Sequence, residues 1–182
     1  MLATGLGLGL SESAGGPQRP DTWFVPGSPQ LRVEVRTGCP HSITRYQDVV
    51  STYTGPALVP PKPLRGMICS YAPARGRKWN QLLVGMSRLG GAAAGTLAAA
   101  VRQLQLDGPP PAPIAACPME GGTVAVIGFS YRSGLNVGLW FETSGCPTID
   151  NGWNGAWYEG NPSFYKTFMA VFDRLPSPAG QL

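Results

Sequence analysis

Residues 123–143 read TVAVIGFSYRSGLNVGLWFET, and the fold follows from how this stretch is punctuated. The first part, TVAVIGFSY, is rich in β-branched and aromatic residues. In the second, Leu135, Val137, Leu139 and Phe141 alternate with Asn136, Gly138, Trp140 and Glu142. A period of two is the signature of a strand, because successive side chains leave opposite faces of the pleat. Between the two runs stands Arg132-Ser133-Gly134, a short polar link ending in the residue that most easily takes a positive φ. The stretch therefore predicts an antiparallel hairpin.

Upstream, GMICSY (66–71) and WNQLLVGM (79–86) flank the polar link PARGRK and predict a second hairpin with a basic tip. Further back, Leu31, Val33 and Val35 alternate with Arg32, Glu34 and Arg36, as in a strand with one wet face. Residues 42–53 fit a short helix or an irregular excursion. The stretch GPALVPPKP (55–63) predicts an extended connection, since proline supplies no N–H and biases its predecessor away from helix. After the second hairpin, Ser87 reads as the N-cap of a helix whose stripe is Leu89, Ala93, Leu97, Ala100, Val101 and Leu104. Asp107-Gly108 and the prolines that follow end it. A last helix is predicted from Asn161-Pro162, with Phe164, Phe168, Val171, Phe172 and Leu175 on one side and Pro176 as its stop.

These readings combine into an α+β fold: an antiparallel sheet of about five strands, with two helices packed on one face and two disulfides as staples. One domain is expected over residues 31–176. Residues 1–30 are glycine-rich and proline-broken, a disordered tail whose leucine-rich start has the texture of a signal-peptide remnant but lacks a basic n-region. Residues 177–182 are a second tail. The 25 glycines and 19 prolines cluster between the periodic segments, so they are read as loops within an ordered domain.

The staples are inferred from four cysteines, Cys39, Cys69, Cys117 and Cys146. Zinc ligands usually come in close pairs on one turn, and none of these cysteines has such a neighbour, so no metal site is expected. Sequential pairing would close two loops of about 30 residues, each worth roughly 3–4 kcal/mol in the chain-entropy model. Four cysteines nevertheless permit three connectivities.

Composition excludes several chemistries. Only 13% of residues are charged, the net charge is +4, and His41 is the single histidine, leaving no Ser-His-Asp or Cys-His constellation in view. Phosphate-loop and dinucleotide signatures are missing, so neither a cofactor nor nucleic acid is expected. No run of 18 apolar residues is present to span a membrane. Of the ten acids, Glu120, Glu142, Asp150 and Glu159 are those from which a hydrolase pair could be drawn.

Two stretches suit binding. NGWNGAWYEGN (151–161) sets Trp153, Trp157 and Tyr158 among glycines and amides such as Asn151, and aromatic faces beside amides are what sugar rings require. The tip residues Arg75, Arg77 and Lys78 have the chemistry to grip phosphates or carboxylates of an envelope polymer.

The order ICSY, alanine-rich helix, Cys-Pro, hairpin and SGCPTIDNG, over residues 66–152, resembles an uncharacterised small secreted or cell-envelope disulfide domain of high-GC Gram-positive (actinobacterial) bacteria. In that group a Cys-Arg-Tyr-like strand precedes the helix, whereas this chain has Cys69-Ser70-Tyr71. The resemblance implies export and disulfides and assigns no activity. The expectation is thus an extracellular or envelope-associated, non-enzymatic binding domain, engaging a cell-wall glycan or a surface protein through its aromatic loop. The alternatives are a small carboxylate-dependent hydrolase and a purely structural accessory domain.

Overall fold

A computed structural model describes residues 30–31, 35, 38–44, 48–49, 51, 53–75, 77–106, 122–143, 148–158 and 161–172. Its elements in chain order are β1 (Gln30–Leu31), β2 (Ser42–Thr44), β3 (Asp48–Val49), β4 (Arg65–Ala74), β5 (Arg77–Leu89), α1 (Gly91–Arg102), β6 (Val124–Ser130), β7 (Asn136–Glu142), β8 (Thr148–Asp150), β9 (Gly155–Trp157) and α2 (Pro162–Phe172). β1 and β3 form a small parallel ribbon. The other strands form one antiparallel sheet of seven in the order β2-β5-β4-β6-β7-β8-β9, curled into a half-barrel.

The β6–β7 hairpin pairs Val124 with Glu142 through to Ser130 with Asn136. Gly134 closes its turn at φ +84°, a left-handed conformation that costs glycine little, and donates its N–H to Tyr131 O at 3.1 Å. The β4–β5 hairpin is longer than the sequence suggests. Ala74 pairs with Arg77, so only residues 75 and 76 link the strands, and at the other end Gly66 pairs with Leu89. Ser87 is therefore no helix cap: it lies within β5 opposite Ile68. α1 starts three residues later, with Gly90 as its N-cap. At the head of α2, Asn161 Oδ1 accepts the Phe164 N–H at 3.0 Å, and Pro162 opens the helix.

The expectation of about five strands stapled by two disulfides is corrected. The main sheet has seven strands: four of the five expected, joined by β2, β8 and β9, each of three residues and too short to display a period of two, while the strand expected from Leu31 is not part of this sheet, Leu31 pairing in the β1–β3 ribbon and Val35 lying in a turn. One disulfide is present among the described residues, joining Cys39 to Cys69. Cys117 and Cys146 lie outside the described residues, as do residues 1–29 and the tail at 177–182.

Register divides the main sheet into two faces. On the helix face, Ile68, Ile127 and Leu139 line up across β4, β6 and β7, and Ala125, Phe141, Ile149 and Ala156 across β6 to β9. Leu97, Ala98 and Val101 of α1 and Phe164 and Phe168 of α2 bury against this face. The opposite face carries Met67, Cys69, Tyr71, Val124, Val126 and Trp140, which bury with Val35 and Ile43 from upstream. It is called the disulfide face below, since Cys69 points that way. β6 is apolar on both sides because both its faces are covered, which is why VAVIGF shows no alternation.

Candidate functional site

The chain from 148 to 158 forms a hairpin of β8 and β9 around a turn at residues 151–154. Asn151, fully buried, organises it: its Oδ1 accepts the N–H groups of Trp153 and Asn154, both at 2.8 Å. Asp150 Oδ1 accepts the Gly152 N–H at 3.0 Å, and Gly152 takes φ +82°. Short polar side chains hold turns in this way because they mimic a backbone acceptor.

The same turn aims three side-chain donors at one distant stretch. Asn151 Nδ2 donates to Leu58 O, Trp153 Nε1 to Ser51 O and Asn154 Nδ2 to Gly55 O, each at 2.9 Å. The recipient stretch runs into Pro56, Pro60, Pro61 and Pro63, which have no N–H to build a ladder with. Its carbonyls must find donors elsewhere, and this turn supplies them. The amides that a sequence reading offers to a sugar are thus bonded to the protein's own backbone.

The three aromatic candidates separate. Tyr158 is buried on the helix face, where its hydroxyl donates to Glu142 O at 2.7 Å and its ring lies 4.7 Å from that of Phe141. Trp153 is the clamp just described. Trp157 remains partly exposed and points to the disulfide face, since it pairs with Thr148 and alternates with buried Ala156.

On that face register sets further residues beside Trp157. Trp140 pairs with Asp150, and Asp150 alternates with Thr148 along β8. Glu142 lies two residues beyond Trp140, and its Oε1 accepts the Trp140 indole N–H at 3.1 Å. The β7–β8–β9 end of the disulfide face therefore presents two indoles, Trp140 buried and Trp157 partly exposed, with two partly buried carboxylates. Trp140 went unflagged in the sequence reading because one alternating position in a strand carries no sign of which cross-strand neighbours it will meet.

Arg75 is exposed in the two-residue link, whereas Arg77 and Lys78 belong to β5, their side chains lying outside the described residues. His41 is exposed, and its neighbour Cys39 is disulfide-bonded, so no thiol is present there for a nucleophile. Glu120 and Glu159 lie outside the described residues. Among the described residues, no three His, Cys, Asp or Glu gather as a metal site would need, and no helix is long and apolar enough to cross a membrane.

No protein-family model, curated protein or solved structure matches this chain.

Proposed function

We propose that the protein is an exported or envelope-associated, non-enzymatic binding domain that holds a cell-surface glycan on the β7–β8–β9 end of its disulfide face. The observation that carries this reading is the register that places partly exposed Trp157 on the same face as Asp150 and the Trp140–Glu142 pair. An indole offers a flat face for the C–H side of a pyranose, and carboxylates accept from its hydroxyls. The Cys39–Cys69 disulfide supports an oxidising compartment, because cytosolic thiols are ordinarily kept reduced. The resemblance of residues 66–152 to secreted actinobacterial domains points the same way.

Binding is favoured over hydrolysis by what the carboxylates already do. Glu142 orients an indole and Asp150 caps a turn, whereas a hydrolytic pair must present one protonated and one ionised group to the same bond.

The test compares two tryptophans by pull-down on isolated cell-envelope polysaccharide. Trp157→Ala is expected to weaken retention about tenfold, near the 1–2 kcal/mol of one lost aromatic contact, with little change in melting temperature. Trp153→Ala removes the donor to Ser51 O and is expected to cost about 1–2 kcal/mol of stability. Equal retention of the wild type and Trp157→Ala would discard the glycan reading. In that case the accessory-domain alternative, which the internally bonded turn favours, predicts a stable protein partner in its place.

A further inference from the structure

The turn that clamps the proline-rich stretch contains both Asn-Gly steps of the sequence, Asn151-Gly152 and Asn154-Gly155. Such a step is chemically labile. The backbone nitrogen after an asparagine can attack the side-chain amide carbon, and glycine has no Cβ to shield that nitrogen. The structure treats the two steps differently. At the first, Asp150 Oδ1 holds the Gly152 N–H at 3.0 Å. Asn151 itself is fully buried, its Oδ1 accepting two N–H groups and its Nδ2 donating to Leu58 O. Attacking nitrogen and target amide are both tied down.

At the second step the attacking nitrogen is open. Asn151 N donates to Asn154 O at 3.0 Å, so these two residues face each other as a hydrogen-bonded pair. Pairs alternate along an antiparallel ladder, which makes the next one, Asp150 with Gly155, a non-hydrogen-bonded pair. The Gly155 N–H therefore points away from β8, and β9 is the outermost strand at its end of the main sheet. Asn154 is only partly buried, and its Nδ2 is the group that donates to Gly55 O at 2.9 Å, with Ala57 O at 3.5 Å.

We propose that Asn154 is a site of spontaneous deamidation, and that its conversion releases the turn's hold on Gly55. Gly155 N gives its proton to hydroxide and bonds to Asn154 Cγ. The Cγ–Nδ2 bond breaks, the side-chain nitrogen leaves as ammonia, and a cyclic imide closes. Water then opens the imide at either carbonyl, giving an aspartyl or an isoaspartyl residue; the net change is water consumed and ammonia released. The product places an acceptor-only carboxylate where a donor stood, facing the carbonyls of Gly55 and Ala57. Acceptors cannot bond to one another, so the stretch loses one of the donors that fasten it. The reaction needs no ligand and does not rest on the glycan reading.

The test incubates the folded full chain at mildly alkaline pH and maps its peptides by mass spectrometry over time. Conversion is expected at Asn154 with the amide of Asn151 retained, whereas the urea-unfolded chain converts at both. Gly155→Ala is the chemical control. The φ of Gly155 is not positive, and a Cβ there meets only Asp150 Cβ at 3.8 Å and Ile149 O at 3.9 Å, so alanine fits without strain. It should slow conversion severalfold and leave the melting temperature unchanged. The loss of the clamp is read separately in Asn154→Asp, whose backbone amides over residues 53–59 should exchange hydrogen faster than in the wild type while those of β6 do not. Retention of the Asn154 amide in the folded chain, conversion of Asn151 at the same rate, or a Gly155→Ala rate equal to the wild type would overturn the site. Unchanged exchange over residues 53–59 in Asn154→Asp would overturn the release.

Discussion

The two faces of the sheet are covered by different means. On the helix face, Phe141, Phe164 and Phe168 interlock with ring centroids 4.3–6.3 Å apart, and the cover consists of two regular helices together with the proline-rich stretch around Leu58 and Val59. On the disulfide face the covering residues Val35, Cys39 and Ile43 come from upstream segments whose described part includes only one three-residue strand of the main sheet, β2. That cover is tied down covalently at Cys69, in the middle of β4. Where a segment is too short to hold itself by repetitive packing, a cross-link that limits the freedom of the unfolded chain does part of the same work. Each face also contains a buried tyrosine bonded to a proline carbonyl of its cover: Tyr131 to Pro60 O and Tyr71 to Pro40 O, both at 3.0 Å.

The contrast can be broken at its strongest point first. Phe164→Ala empties a fully buried position between Phe141 and Tyr158, and should cost about 3–5 kcal/mol in urea unfolding followed by far-ultraviolet circular dichroism. Replacing Cys39 and Cys69 together by serine should cost about 3–4 kcal/mol, with Trp140 fluorescence reporting a loosened disulfide face. If the double serine variant matched the wild type in stability, the covalent account of that face would be wrong.

A smaller effect separates the faces by pH. Burial pushes both tyrosine hydroxyls well above their usual value; at Tyr131, Tyr53 adds to the rise and Arg102 opposes it, whereas at Tyr71 burial acts alone. Because the folded values are raised, the associated stability is fully present below about pH 10, where unfolded tyrosine titrates, and is lost as pH climbs beyond it. Tyr71→Phe should lower stability by about 1 kcal/mol at neutral pH and flatten part of the alkaline decline. An unchanged alkaline slope would mean that the Tyr71 hydroxyl is not protected by the cover above it.

The sequence reveals most about elements whose signals are local. The β6–β7 hairpin is legible from alternation on one strand and Gly134 in the turn, and α2 from Asn161-Pro162 and its phenylalanine spacing. β8 and β9 are hidden because three residues hold barely one full period, and Ile149 or Ala156 alone does not say which neighbour it will pair with. Ser87 misleads because its hydroxyl suits a cap as well as a strand; the length of β4 opposite it settles the matter, a tertiary fact. In the candidate site, Asn151 and Asn154 are recognisable as turn formers from residue type. What they bind is not, since their target carbonyls lie more than 90 positions upstream.

That distance orders the assembly of the molecule. The Cys39 and Cys69 thiols are 30 positions apart and both exist early as the chain emerges from its N-terminus. The carbonyl of Ser51 meets its indole donor only when a further 102 residues have followed, and that of Leu58 waits for 93. Until then these two carbonyls lack their donors, although Pro60 O can already meet the Tyr131 hydroxyl, 71 positions on. Full docking of this stretch therefore requires the C-terminal strands to be present.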